Sequence, residues 1–142
     1  VHRRAGEPSL EISLSHSGGV LLVAVSRAGE VGVDAEVMDP AVKHEAIARR
    51  FFAEEERAAL ALLDETARVP AFFRCWTRKE ALVKALGDGL AHSLQTFAVP
   101  VDAQRRCPLV RTPPHWDHAL AWWLYDCAPA ERYAGALAVR GA

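Results

Sequence analysis

Two short stretches of this 142-residue chain carry acidic and basic side chains at spacings that could support chemistry. In the run V-G-V-D-A-E, Asp34 and Glu36 stand two residues apart in a strand-like segment and so share one face of a strand. In F-R-C-W-T-R-K-E-A-L-V-K-A, Glu80 and Lys84 stand four residues apart and share one face of a helix. Three carboxylates and a lysine suit a hard cation that is bound together with a diphosphate.

Each of these residues also has an ordinary structural explanation. Asp34 and Glu36 could be solvated acids at a strand end, although two like charges on one face repel each other unless a cation lies between them. Glu80 and Lys84 could form an exposed ion pair worth only about 0.3–0.5 kcal/mol. Trp76, one turn before Glu80, indicates a half-buried position instead. We therefore favour the interpretation as a metal site.

Apolar periodicity and turn residues predict the elements that position these side chains. A turn is expected at Ser17-Gly18-Gly19, and the order of elements is typical of one α+β domain over residues 1–142. The predicted elements are strands Glu11–Ser15, Val20–Ser26 and Val31–Glu36, helices Val42–Phe51, Glu54–Leu63 and Pro70–Leu86, and strands Thr96–Val99, Leu109–Arg111, Ala119–Cys127 and Tyr133–Arg140.

Three local features refine this outline. Val20–Ser26 is so apolar that it predicts a buried strand. Asp39-Pro40 predicts a helix start, with the aspartate as N-cap and the proline at the first helical position. Residues 64–70 are expected to connect two helices, either as an irregular segment or with a short helical turn of their own, and Gly87-Asp88-Gly89 is expected to end the second helix.

The bulk properties exclude several classes of partner. A formal net charge of −1 provides no basic surface for nucleic acid or an anionic membrane. The apolar run Ala119–Tyr125 is too short to cross a bilayer, and no secretory leader is recognisable. The three cysteines are scattered without a C-x-x-C pair, which favours reduced thiols in a cytoplasmic protein.

Four motifs in a fixed order resemble those of the 4′-phosphopantetheinyl transferases: S-L-S-H-S-G, G-V-D-A-E, F-F-A-E-E-E and W-T-R-K-E-A-L-V-K. The resemblance runs from Gly6 to about Phe97 and is to the surfactin-synthetase-activating type rather than the shorter holo-acyl-carrier-protein synthase. It implies an α+β lobe of that family, with an antiparallel sheet packed on helices.

The position of S-H-S-G suggests that part of the larger family architecture is absent. In this type two similar lobes are present and S-H-S-G falls near the middle of the chain, whereas here it starts at Ser15. The chain also begins with Val1. We therefore expect either a piece of a longer synthase or a compact variant that completes its site as a homo-oligomer, such as a trimer.

The resemblance assigns roles to the acids and to the nearby lysines. It implies that Asp34, Glu36 and Glu80 bind Mg²⁺, which would hold the pyrophosphate of coenzyme A. Glu80, or a water oriented by the metal, would take the proton from the acceptor serine, and Asp34 would also act in catalysis. Lys84 would contact the phosphates and protonate the departing group. Lys79 would either contribute a further positive charge at the bound coenzyme A or be an ordinary surface lysine.

Other residues would hold the nucleotide end of coenzyme A. The resemblance implies that Ser15 and His16 contact its phosphates. Family members usually carry G-K-P or G-R-P where this chain has Gly6-Glu7-Pro8. Glu7 would repel a phosphate, and we expect Arg4, or Arg3, to supply the missing positive charge.

The implied reaction transfers 4′-phosphopantetheine from coenzyme A to a serine of an acyl- or peptidyl-carrier protein and releases 3′,5′-ADP. The carrier is expected to dock between Arg49–Phe52 and Pro70–Arg78, although at least half of the four phenylalanines there are expected to be core. The main alternative is a non-catalytic module that binds coenzyme A or a carrier. A magnesium-dependent hydrolase of a small diphosphate is a weaker alternative, because no hydrolase motif is recognisable.

Overall fold

Residues 9–87, 93–113, 116 and 121–141 are described by the structure, a computed structural model. These residues form six β-strands, three α-helices and one short 3₁₀-helix. The strands are β1 (Glu11–Ser17), β2 (Val20–Ser26), β3 (Val31–Val37), β4 (Arg106–Pro108), β5 (Ala121–Asp126) and β6 (Tyr133–Gly141). The helices are α1 (His44–Phe51), α2 (Glu54–Ala61) and α3 (Glu65–Leu86), and the 3₁₀-helix is Leu94–Thr96.

In the described ranges the strands make two antiparallel sheets. β1 and β2 form a hairpin, and the other four strands form a sheet in the order β3-β6-β5-β4. The predicted α+β class, with an antiparallel sheet packed on helices, is confirmed. Among the helices described, none combines the length and apolar character that a membrane span requires.

The hairpin presents one apolar face to solvent. Leu14 pairs with Val23 and Ile12 pairs with Val25, and all four side chains are more than half exposed. The prediction that Val20–Ser26 is a buried strand is therefore wrong, because only every second side chain points inward. The predicted turn is confirmed: Gly18 has a φ of +55°, and the amide of Gly19 donates to the Tyr133 hydroxyl over 3.3 Å.

Serine hydroxyls, rather than a backbone ladder, join β1 to β3 in the described structure. β3 lies at the edge of its sheet, and β1 runs parallel to it. The amides of Val33, Ala35 and Val37 donate to the hydroxyl oxygens of Ser13, Ser15 and Ser17 over 3.0, 3.1 and 3.0 Å respectively. This serine ladder satisfies edge amides that would otherwise be left without partners.

Small residues allow α3 to lie directly on β3 and β6. A Cβ atom at Gly32 would stand 1.9 Å from the carbonyl oxygen of Ala81 and 2.5 Å from the amide nitrogen of Ala85. Gly32 pairs with Ala138 and Asp34 pairs with Ala136, so the face of the sheet below the helix consists largely of glycine and alanine. This close approach brings the acids of β3 next to those of α3.

α3 is longer than the sequence predicts. Asp64 is its N-cap and accepts from the amide of Ala67 over 2.9 Å, so residues 65–70 are helical and do not form a connection. Pro70 lies inside α3, in its second turn, where it removes one amide donor from the helix. Gly87 ends α3 in the left-handed conformation, as predicted, whereas Asp88 and Gly89 lie outside the described residues.

Two further boundaries differ from prediction. Asp39 accepts from the amide of Ala41 in a tight turn, so α1 begins at His44, without the Asp39 cap. In the C-terminal third, the predicted strands at 96–99 and 109–111 shrink to a single bridge between Ala98 and Arg111, and β4 forms at 106–108. Backbone pairing with β5, rather than local apolar pattern, selects the position of β4.

The core below α3 contains a buried ion pair and a buried arginine. Lys79 donates to Glu56 over 2.6 Å, and the Glu56 carboxylate also accepts from the amides of Ala53 and Val99. Arg78 donates to three backbone carbonyls between residues 100 and 104. Of the four phenylalanines considered for carrier docking, Phe52, Phe72 and Phe73 are buried, which confirms that at least half are core.

Candidate active site

Asp34 lies at the centre of the candidate site and is only 4% exposed. Its Oδ1 atom accepts from the hydroxyl of Ser15 over 3.1 Å and from the ammonium of Lys84 over 3.0 Å. Its Oδ2 atom is buried and has no hydrogen-bond partner among the described residues. One side of the carboxylate is thus fixed by donors, and the other is left for a further positive group.

Lys84 joins the three elements that meet at this point. Besides Asp34, its ammonium donates to the carbonyl oxygens of Leu14 over 3.3 Å and of Val33 over 3.1 Å. These contacts link α3 to β1 and β3 through one side chain. Lys84 of α3 is therefore in direct contact with Asp34, one of the two acids of β3.

Glu36 and Glu80 complete a group of electrostatically coupled acids. Burial raises the pKa of Glu36, and the charges of Asp34 and Glu80 raise it further. Burial and the charge of Asp34 likewise raise the pKa of Glu80, against the lowering effect of Lys84. Burial also raises the pKa of Asp34, with Lys84 and Ser15 partly opposing it. The charges of neighbouring carboxylates thus disfavour ionisation of Glu36 and Glu80, and a bound cation would favour it.

The donor set fits a hard divalent cation. Carboxylate oxygens are the ligands that Mg²⁺ prefers, and the unpartnered Oδ2 of Asp34 is a suitable buried acceptor. The fit is incomplete, however, because no three His, Cys, Asp or Glu side chains within the described ranges stand as a preformed set of ligands. The side chains of Glu36 and Glu80 would therefore have to turn toward Asp34 when a cation binds.

An open groove of about 890 Å³ borders Glu80. Glu80 and Lys84 lie on one of its walls, together with Trp76 and Val83 of the same helix. Ile12 and Leu14 of the hairpin, Arg50 and Phe51 of α1, and Leu94 line the rest. A mostly apolar groove that ends at charged groups suits a ligand with a phosphate end and a less polar arm.

The other residues predicted to contact coenzyme A differ in their exposure to solvent. His16 lies exposed on the outward face of β1. Ser15, in contrast, is only 8% exposed, and its hydroxyl is engaged with Asp34 and Ala35. Arg4, Arg3 and Glu7 lie outside the described residues.

The expectation that Lys79 contacts coenzyme A is corrected. Its ammonium is completely buried, donates to Glu56 and to the carbonyl oxygen of Phe97, and lies 4.2 Å from the centre of the Phe97 ring. Although Lys79 and Glu80 are adjacent in sequence, their side chains leave the helix in different directions. Lys79 therefore stabilises the packing of α2 against α3 instead of facing the groove.

Two contacts at the site were missed from sequence. Ser15 was predicted to contact coenzyme A, but its hydrogen bond to Asp34 was not expected, and Tyr133 holds the hairpin turn from β6. A Cβ atom at Gly18 would stand 2.5 Å from the Tyr133 hydroxyl, so this turn requires glycine for space as well as for its φ angle. The alternation of serines in S-L-S-H-S was an available signal for Ser15, because it places three hydroxyls on one face of a strand.

The fold and the acid–lysine site together define a class of protein. The profile of the 4′-phosphopantetheinyl transferase superfamily matches residues 30–138 of this chain. The matched segment contains Asp34, Glu36, Glu80 and Lys84. The chain belongs to this superfamily.

Individual relatives agree with this membership. The chain is 34% identical over 138 residues to the 4′-phosphopantetheinyl transferase HetI of Nostoc sp. strain PCC 7120, covering 97% of this chain and 55% of HetI. It is 35% identical over 108 residues to the transferase psf-1 of Bacillus pumilus, covering 76% of this chain and 45% of psf-1. The chain thus spans about half the length of the curated relatives it matches.

A solved structure supports the fold. The holo-[acyl-carrier-protein] synthase (AcpS) of Thermotoga maritima superposes with a TM-score of 0.51 at 21% identity. The superposition covers 78% of this chain and 62% of the synthase. Identity at this level shows the fold alone.

Proposed function

We propose that this chain, as one domain over residues 1–142, transfers the 4′-phosphopantetheine group of coenzyme A to a serine of an acyl- or peptidyl-carrier protein. The observation that carries the proposal is the meeting of Asp34, Glu36, Glu80 and Lys84 between β3 and α3 in a member of this superfamily. In the reaction, the serine oxygen attacks the β-phosphorus of coenzyme A. The bond to the bridging oxygen breaks, and 3′,5′-ADP leaves.

Asp34, Glu36 and Glu80 would hold a Mg²⁺ ion, with Oδ2 of Asp34 as the buried ligand. When bound, such an ion neutralises charge on the phosphates and orients them. Glu80 takes the proton of the acceptor serine, and burial together with the charge of Asp34 raises its pKa, which makes it a stronger base than an ordinary glutamate. Lys84 turns one N–H from a backbone carbonyl to a phosphate oxygen and stabilises the departing group.

The groove beside Glu80 is the proposed position of the pantetheine arm. Exposed His16 on the neighbouring strand would contact the nucleotide end of coenzyme A, and Arg4 would add positive charge there. The carrier would dock at the mouth of the groove beside Arg50 and Phe51, which border it. Arg78 and most of the phenylalanines cannot take part in docking because they are buried. The resemblance to the surfactin-synthetase-activating type and a cytoplasmic location remain sequence predictions.

Intact-mass spectrometry tests the transfer directly. An apo carrier protein is incubated with this chain, coenzyme A and Mg²⁺, beside a Glu80→Ala variant and a Glu65→Ala control. Glu65 is an exposed acid on the same helix, outside the groove. We expect one added phosphopantetheine with wild type and Glu65→Ala, and none with Glu80→Ala. Equal transfer by all three would contradict the proposed base.

A non-catalytic module that binds coenzyme A or a carrier is the second candidate. One observation favours it: the carboxylates are not preformed as a ligand set in the described residues. Calorimetry with coenzyme A separates the candidates. Binding of coenzyme A without transfer to any of several unrelated carriers would favour the module.

A further inference from the structure

We propose that Ser15 is a positioning residue that fixes the carboxylate of Asp34, so that Oδ2 is presented to the metal ion. This inference rests on the proposed function, since the cation site belongs to it. The Ser15 hydroxyl accepts from the amide of Ala35 and donates to Oδ1 of Asp34, both over 3.1 Å. With its oxygen already occupied by the amide, the hydroxyl hydrogen is directed at the carboxylate.

Two donors on one oxygen select a single orientation of the Asp34 side chain. Ser15 and Lys84 both donate to Oδ1, and they approach from different elements, β1 and α3. Rotation of the carboxylate would break both hydrogen bonds in a buried setting, where lost bonds are costly. Oδ2 is thereby kept free of protein partners among the described residues and available as a ligand. Partners of this kind orient metal-binding carboxylates in proteins generally.

A comparison with Ser13 distinguishes the positioning of Asp34 by Ser15 from simple support of the hairpin. Ser13 and Ser15 are equally buried, each 8% exposed, and each accepts one amide hydrogen bond from the edge of β3. Only Ser15 also donates to Asp34. A difference between variants at these two positions therefore reports the contact with the carboxylate and not the loss of a rung of the serine ladder.

The test measures binding of Mn²⁺ alone, with no coenzyme A or carrier present. Free Mn²⁺ is counted by electron paramagnetic resonance for wild type, Ser15→Ala, Ser13→Ala and Asp34→Asn, at a temperature at which melting curves show every variant folded. We expect Ser15→Ala to raise the Mn²⁺ dissociation constant about tenfold or more. Ser13→Ala should leave it unchanged, and Asp34→Asn should abolish binding.

Ser15→Cys provides a second variant if Ser15→Ala does not fold, because a thiol is a weak donor of similar size, and an intermediate affinity is expected. Equal affinities of the Ser15 and Ser13 variants would overturn the positioning role, as would wild type that binds no Mn²⁺. Transfer to an apo carrier is assayed separately on the same preparations. Wild type that shows the expected Mn²⁺ pattern without any transfer would leave Ser15 in its role and remove the transferase proposal.

Discussion

At the scale of single residues, the candidate site is defined by charges that are unfavourable in the absence of a cation. Asp34, Glu36 and Glu80 all have pKa values raised above the ordinary 3.8 and 4.5 by burial, and those of the two glutamates are raised further by neighbouring carboxylates. Such a cluster lowers the free energy of unfolding, so its presence indicates a functional site that needs the negative charge.

The first prediction concerns pH. Because the folded-state pKa values of these acids are raised, the folded chain binds more protons than the unfolded chain between about pH 4 and the raised values. Stability without metal should therefore fall as pH rises through that window. Mg²⁺ should oppose the fall, since it favours the ionised acids. Melting temperatures measured between pH 5 and 8, with and without Mg²⁺, check this prediction. A rise in melting temperature with Mg²⁺ that is equal at pH 5 and pH 8 would contradict it.

Glu36→Gln isolates the repulsion within the cluster. It removes a carboxylate that interacts unfavourably with both Asp34 and Glu80, so at pH 8 without metal we expect a gain of about 0.5–2 kcal/mol in the free energy of unfolding. Stabilisation by Mg²⁺ should be lost in the same variant. Glu131→Gln is the matched control, because Glu131 is exposed and outside the site. Urea titrations with and without Mg²⁺ measure the free energy of unfolding and its increase on metal binding. A lower free energy of unfolding in Glu36→Gln would contradict the proposed repulsion among the three acids.

At the scale of elements, the site depends on how closely α3 approaches β3. In Gly32→Ala, the new Cβ atom would overlap the backbone of Ala81 and Ala85, which cannot yield as a flexible side chain can. We expect a loss of about 1–3 kcal/mol or more in the free energy of unfolding. Gly19→Ala is the control, since a Cβ atom there meets nothing within 4 Å. Equal stability of the two variants in denaturant titrations would show that α3 is not in close contact with Gly32.

The buried ion pair gives a second prediction at this scale. Lys79→Met leaves the Glu56 carboxyl without its ammonium partner in the core, and breaking a buried pair in this way typically costs about 3–5 kcal/mol. Since Lys79 does not face the groove, the affinity for coenzyme A should change little at a temperature where the variant is folded. Thermal denaturation and calorimetry measure the two effects, with exposed Lys43→Met as control. A specific loss of coenzyme A affinity without a loss of stability would restore the role first expected from sequence.

Sequence predicts these elements well where the signal is local. Alternation and i,i+4 spacing place Asp34 with Glu36 and Glu80 with Lys84, and Gly87 ends α3 as expected. The failures depend on contacts distant in sequence. Lys79 is buried because it pairs with Glu56, which is 23 residues away in the sequence. The Ser15 hydroxyl donates to Asp34, 19 residues away, because β1 lies along the edge of β3. The start of α3 was missed because Pro70 was interpreted as a helix start, while the capping geometry of Asp64 decides it.

At the scale of the whole molecule, the two faces of the hairpin differ: the inner face packs on β3, and the outer face is apolar and exposed to solvent. The serine ladder binds its inner face to β3, whereas Ile12, Leu14, Leu21, Val23 and Val25 remain 55–61% exposed on its outer face. Contiguous apolar patches on a protein surface typically mark an interface. The same face carries His16 and borders the groove, so whatever covers it would also shape the site.

The last prediction is therefore that this 142-residue chain self-associates weakly through the outer face of the hairpin. Burying five half-exposed side chains from each of two copies would contribute roughly 8–15 kcal/mol. Association costs about 4–15 kcal/mol, so the balance favours a concentration-dependent oligomer rather than a permanent one. Replacing Leu21, Val23 and Val25 by threonine places a β-branched residue, which favours strands, at all three positions and leaves the serine ladder intact. Size-exclusion chromatography with light scattering should show wild-type mass rising with concentration and the triple variant staying monomeric. A wild-type monomer at every concentration that still modifies a carrier would mean that neither this surface nor a second copy is needed to complete the site.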